Sequence, residues 1–255
     1  MSALFGQSPY RACFYGAMGQ YASKECGALS VLCNILESLK AGDFSKTAEL
    51  RSYLTHTDYD LRQYSHQLFA HACSHQQVEW FASAFDTIAN PEELHRIIFR
   101  LGETLSGSAI PLLRCLTEQY GDDPEVCAQV LLSMRLMGGY DDIECCQDDI
   151  LNVLSEAESR CTPPHYYYRG NIVFAGDITK ELVTNSVIAN RERRKVVLFR
   201  QPQILSVFSG TDCPIQHGQM VADNNLSDVF SYVAAIARMT WQPGVKYFYR
   251  HDISS

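Results

Sequence analysis

Thr57-Asp58-Tyr59-Asp60-Leu61, Ala89-Asn90-Pro91-Glu92-Glu93-Leu94 and Gly121-Asp122-Asp123-Pro124-Glu125-Val126 are three versions of one punctuation mark. Asp58, Asn90 and Asp123 follow one another at spacings of 32 and 33 residues. Each has a short side-chain acceptor suited to a free N–H in the first turn of a helix. In two cases a proline follows, at the helical position where a missing N–H costs nothing. An apolar residue, Leu61, Leu94 or Val126, comes three or four positions later. These are helix starts that recur.

Working outward, residues 43–74, 75–107 and 108–139 each read as helix, polar turn, helix. Leu94, Ile97, Ile98 and Leu101 show the apolar stripe of a second helix. Before them, Leu29, Leu32, Cys33, Leu36 and Leu39 share a face at the helical period, which ends at Gly42. After them, a helix is expected from Asp142 to Arg160, stopped by Thr162-Pro163-Pro164. A single helix pair cannot bury its own stripe. Residues 1–161 are therefore expected to stack as a short HEAT- or armadillo-like helical-repeat solenoid, and the fold class is mainly α.

Residues 162–255 have another texture and are expected to form a mixed α/β cap packed on the solenoid. Helices are expected from Gly176-Asp177 to about Asn190, over Pro202 to Phe208, and from Asn225 or Ser227; a short strand is expected over Val196 to Phe199. The basic run Arg191, Arg193, Arg194, Lys195 decorates the C-terminal end of the first of these helices, where it opposes the helix dipole.

Composition bounds the function. The chain has 255 residues, 46% hydrophobic and 11% aromatic, the balance of a folded globular protein. No run approaches the ~18 apolar residues of a membrane span, and the first residues lack a signal-peptide pattern, so the expected compartment is the cytoplasm. The ten cysteines include no C-x-x-C pair and read as reduced, mostly buried side chains. The net charge of −8 argues against direct nucleic-acid binding. That charge is unevenly spread: residues 118–158 hold eleven acids against Arg135 alone, a net of −10. Such a block produces a field of several kT, enough to steer a basic protein partner. Its candidate contact residues are Asp122, Asp123, Glu125, Tyr140, Asp141, Asp142, Glu144, Asp148 and Asp149, with Tyr140 as an aromatic anchor.

Catalytic and metal signatures are weak. Cys213 lies four residues before His217, a spacing rare in thiol hydrolases. His66, His71, Cys73 and His75 supply four possible ligands, but His66 and His71 diverge by about 140 degrees on a helix. A helix end with partly exposed histidines accounts for them, and neither a metal nor a cofactor is expected. Adjacent carboxylates such as Asp148 and Asp149 read as a solvated acidic face.

Three C-terminal segments carry a resemblance: Phe174-Ala175-Gly176-Asp177-Ile178-Thr179-Lys180-Glu181, then Leu205-Ser206-Val207-Phe208-Ser209-Gly210 with Cys213-Pro214, then Trp241-Gln242-Pro243-Gly244-Val245-Lys246-Tyr247-Phe248-Tyr249. They resemble those of a bacterial family of immunity proteins from polymorphic toxin systems, with a HEAT-like helical N-terminal part, over residues 40–255. Arg250 stands where that family leads one to expect glycine. The resemblance implies a non-enzymatic protein that neutralises a cognate toxin in the cytosol by stoichiometric binding, the charge block favouring a basic nuclease. Two rivals from other classes remain at this stage: a helical-repeat scaffold or adaptor, and an enzyme, either a HEAT-like lyase or a Cys213-dependent hydrolase.

Overall fold

The computed structural model describes residues 27–88, 90–140 and 146–253. Among them the chain is mainly helical, with eleven α-helices and two small hairpins. The helices are α1 (Ala28–Lys40), α2 (Thr47–Leu50), α3 (Tyr59–Ala72), α4 (Ala82–Phe85), α5 (Pro91–Glu103), α6 (Ile110–Tyr120), α7 (Pro124–Gly138), α8 (Gln147–Arg160), α9 (Ala175–Arg191), α10 (Gln201–Ser209) and α11 (Asp223–Ile236).

The three recurring starts act as their chemistry requires. Asp58 accepts from the Leu61 N–H at 3.0 Å, Asn90 from Glu93 at 2.9 Å and Asp123 from Glu125 at 2.9 Å. Asn90→Ala should therefore cost about 1 kcal/mol, seen as a lower urea midpoint with an unchanged slope. The helices that follow, α3, α5 and α7, pack in succession, α3 on α5 and α5 on α7. Ser133 of α7 donates to the Ile98 carbonyl of α5 at 2.9 Å, and Gly102 of α5 faces Ser133 so closely that a Cβ there would stand 2.7 Å from the Ser133 oxygen.

Elsewhere the elements differ from the sequence pattern. The first helix of block 43–74 is broken into the 3-10 turns Phe44–Lys46 and Arg51–Tyr53 around α2; that of block 75–107 becomes the turn Val78–Phe81 followed by α4. The last helix opens at Asp223, earlier than expected, because Asn225 Oδ1 reaches back to the Ala222 N–H at 2.6 Å. In place of a strand over Val196 to Phe199 there is one antiparallel bridge, Lys195 to Met220. Asp142 to Cys145, the expected start of α8, lie outside the described residues.

Two compact units divide the chain. One comprises the described part of Met1–Gly42 with Phe174–Pro243 and Tyr247–Asp252; the other comprises Asp43–Val173, Gly244–Lys246 and the described part of Ile253–Ser255. The lines fall at 42/43 and 173/174, so α1 groups with α9–α11, and residues 162–173 with the helices before them.

Each unit carries the same device. In the second, β1 (Tyr167–Tyr168) pairs with β2 (Asn171–Ile172); in the first, β3 (Tyr247–Phe248) pairs with β4 (His251–Asp252), 80 residues later. Both turns place two residues at positive φ, Arg169 (48°) and Gly170 (76°) in one, Tyr249 (49°) and Arg250 (74°) in the other, as a type I′ hairpin demands. Both turns then cap a helix that ends in a left-handed glycine. Arg169 and Gly170 donate to the Leu136 and Met137 carbonyls of α7 at 2.8 Å each; Tyr249 and Arg250 donate to Val207 and Phe208 of α10 at 2.9 and 2.6 Å. These are the carbonyls a helix end leaves without partners. Arg250 thus fills a turn position that favours glycine, a conformation costing an ordinary residue about 1–2 kcal/mol. Its Nε donates to the Ser209 carbonyl at 3.0 Å, a bond glycine could not make.

The second unit buries an uncommon amount of charge. Arg62 Nε on α3 meets Glu93 Oε1 on α5 at 2.5 Å, with Glu93 fully buried. Arg100 pairs with Glu103 at 2.5 Å, and His71 Nε2 lies 3.8 Å from the same carboxylate. Lys246 is buried beside them; its Nζ donates to the Ala70 carbonyl in the last turn of α3 at 2.6 Å and lies 5.5 Å from the Tyr166 ring centre. Burial pulls its pKa down to about 8. A cation is well placed at a helix C-terminus, but this one surrenders its hydration to be there.

Candidate functional site

Two separated runs of the acidic block meet in space. Asp122 and Glu125 are exposed around the α6–α7 turn, and Asp148 and Asp149 are exposed in the first turn of α8. Gln147 joins the two places: its side chain donates to the Thr117 carbonyl at 2.9 Å, and a Cβ on Gly121 would stand 2.7 Å from its amide. The Gly121 turn therefore lies against the start of α8, and a single edge carries carboxylates from both. Asp148 and Asp149 also sit where a helix N-terminus favours negative charge.

Not every acid on this edge is equally available. Asp123 is held as the α7 cap and lies 3.7 Å from His95 Nε2. Glu125 accepts from Gln129 at 2.8 Å. Asp149 accepts from the Cys146 thiol at 2.9 Å and pushes that thiol above its ordinary pKa. Glu118, Asp122 and Asp148 pair with no cation among the described residues.

Toward the other end of α8 the charge is partly cancelled by two arginines just outside the counted block. Arg114 meets Glu158 at 2.8 Å, and Arg160 meets Glu156 at 3.0 Å. Arg160 also covers Tyr140, its guanidinium 5.8 Å from the ring centre and Nη1 3.4 Å from the hydroxyl. Tyr140 is accordingly half-buried, and burial raises its pKa. The sequence missed both arginines as neutralisers. The Glu156–Arg160 spacing was a signal for one; nothing local marks Arg114, 44 residues from Glu158. Asp141, Asp142 and Glu144 lie outside the described residues.

The other chemically suggestive groups are tied up in structure. Cys213 is buried, and burial pushes its thiol up to about 12, the opposite of what a thiolate nucleophile needs. His217 is bonded through Nδ1 to the Leu198 backbone at 3.1 Å. His66 and His71 are buried, which corrects the expectation of partly exposed rings; His75 is half-buried between Ser106 Oγ at 2.7 Å and the Pro164 carbonyl at 3.0 Å. Among the described residues no group of three or more His, Cys, Asp or Glu could hold a metal ion, and no helix is long and apolar enough to cross a membrane.

Comparison with known families gives the class of this helical chain: immunity proteins, which act against a toxin. The family model described as Immunity protein 47 matches residues 26–253, and the chain belongs to that family. The match takes in α1, which the resemblance over residues 40–255 left out. No curated protein matches the chain, and no solved structure does.

Proposed function

We propose that the chain neutralises one cognate toxin by stoichiometric binding in the cytosol, and that the acidic edge is where a basic toxin, such as a nuclease, is captured. The observation that carries this reading is the convergence of Asp122, Asp123 and Glu125 with Asp148 and Asp149 on one edge of the second unit. Tyr140, Asp141, Asp142 and Glu144 complete the proposed surface. On this reading the recurrent helix pairs of residues 43–139 act as a solenoid and form the binding body. A stacked helical surface lets contact residues vary while the core stays fixed, which suits an inhibitor matched to one partner.

Co-expression with the product of the adjacent reading frame, followed by rescue from its toxicity and stopped-flow binding, tests the proposal. The association rate should fall steeply with ionic strength. Replacing Asp141, Asp142, Asp148 and Asp149 by Lys should slow association at least tenfold at low salt. The changes at Asp148 and Asp149 should hardly affect thermal stability, since exposed positions usually shift it by about 0.5 kcal/mol. An association rate indifferent to both salt and charge reversal would overturn electrostatic capture.

A further inference from the structure

The basic run after α9 lies outside the acidic edge and has its own architecture. The helix closes with Arg193 and Arg194 donating to the Asn190 and Ala189 carbonyls at 3.2 and 3.0 Å, and Arg193 takes φ 53°. The chain then extends alongside residues 218–220. Val196 donates to Gln219 at 2.8 Å, Gly218 donates to Val196 at 2.9 Å, and Lys195 and Met220 are bridge partners. Asn190 Nδ2 fastens the helix end to the Val221 carbonyl at 3.1 Å and Asp223 Oδ1 at 3.0 Å. Burial alternates along the extended run: Val196 and Leu198 point inward, Lys195 and Val197 outward. Residues opposite each other on an antiparallel pair share a face, so Met220 joins Lys195 and Val197 on the outside.

That face has an unusual composition. Val197 is 60% exposed and Met220 53%, the two most exposed large apolar side chains among the described residues. Arg194 pairs with Glu192 at 2.5 Å, but Arg191, Arg193 and Lys195 pair with no carboxylate among the described residues. Exposed apolar side chains held out on a hydrogen-bonded backbone, with exposed arginines a few residues before Val197 in the chain, have the make-up of an interface centre, whose ordering cost is already met before binding.

We propose that Arg191, Arg193, Lys195, Val197 and Met220 form a second docking surface, which receives an acidic segment of the toxin with an apolar residue at its middle. The proposal rests on the immunity reading for its partner and on charge complementarity for that partner's chemistry. A second copy of the chain is a poorer occupant, because this knuckle against the acidic edge would join two different surfaces and leave both free at the ends of every pair. Nucleic acid is poorer too: three cations neutralise few phosphates, and the chain as a whole carries −8.

The test uses the full chain and the product of the adjacent reading frame, with surface plasmon resonance and rescue from toxicity as readouts. Two variants are compared with the parent, R191E/R193E/K195E and V197S/M220S. Each should weaken binding at least tenfold, mainly through faster dissociation, while melting within a few degrees of the parent. If the apolar variant does not fold, the charge variant decides alone. Binding within twofold of the parent in a folded charge variant overturns this surface while leaving the immunity reading intact. Failure of the parent itself to bind or rescue overturns both. Tight binding of a 30-base-pair DNA duplex that the charge variant abolishes overturns it in favour of nucleic acid, and a parent dimer that the variants dissociate overturns it in favour of self-association.

Discussion

Glu93→Gln should lower the unfolding free energy by about 3–5 kcal/mol, the loss typical when one member of a buried ion pair is removed. Glu93 is fully buried at the N-terminal turn of α5, and its carboxylate receives Arg62 Nε at 2.5 Å and Gln63 Nε2 at 3.5 Å. Arg62 also donates to the His56 carbonyl and lies over the Tyr59 ring, 5.7 Å from its centre. The amide would keep the volume of the carboxylate and remove its charge. An arginine fixed by these two other groups would then stay buried without a counter-charge. The double change Arg62→Met with Glu93→Leu should recover most of the loss, because no buried charge is then left without a partner. Urea unfolding of Arg62→Met, Glu93→Leu and the double variant checks this as a cycle, with Glu93→Gln measured beside them. A Glu93→Gln loss below 1 kcal/mol would show that water reaches the pair.

That polar seam could not be read in the chain, although its helices could. Helix starts are local: Asp58, Asn90 and Asp123 each bond an N–H two or three residues away, so their chemistry is visible in a window of a few residues. The stripe Leu94, Ile97, Ile98 and Leu101 is buried as its period implies. Arg62, Gln67, Glu93, Arg100 and Glu103 are also buried, and each looks by itself like a solvated surface residue. Arg100 and Glu103 are three apart on one helix, but the pairs Arg62–Glu93 and Gln67–Arg100 span 31 and 33 residues, beyond the reach of any helical period. The repeated hairpin cap was within reach, since Tyr167 to Arg169 and Tyr247 to Tyr249 occupy matching places before turns of the same type. It stays hidden because Gly170 is matched by Arg250, so one turn carries the glycine signal and the other conceals it. At the candidate site the excess of charge is a property of composition and is legible. Which carboxylates share the edge and which are neutralised depends on Gln147 and Arg114, whose contacts span 30 and 44 residues, while Arg160 reaches Glu156 only four residues back.

Stability should fall by about 3 kcal/mol through His66 alone as pH drops from 6.5 to about 4. The ring lies in the core of the second unit, 6.0 Å from the Phe81 ring, and burial pulls its pKa down to about 4. It is neutral in the fold, with Nε2 donating to the Leu54 carbonyl at 2.8 Å. A second proton would sit on Nδ1, which is buried without a hydrogen-bond partner among the described residues. Between the two pKa values the unfolded chain binds a proton that the native chain does not, so the contribution is whole above pH 6.5 and is lost on acidification through that window. His71 and His75 are lowered as well, both chiefly by burial, and their losses have the same sign. Carboxylates titrate in part of this range, so the diagnostic quantity is the difference between parent and His66→Gln, whose amide can still donate to Leu54 without ever taking up the proton. That difference should shrink steadily from pH 7 to pH 4 in urea unfolding. Parallel pH profiles for the two proteins would mean that His66 takes up its proton at the same pH in the fold as in the unfolded chain, and burial would then exert no pull on it.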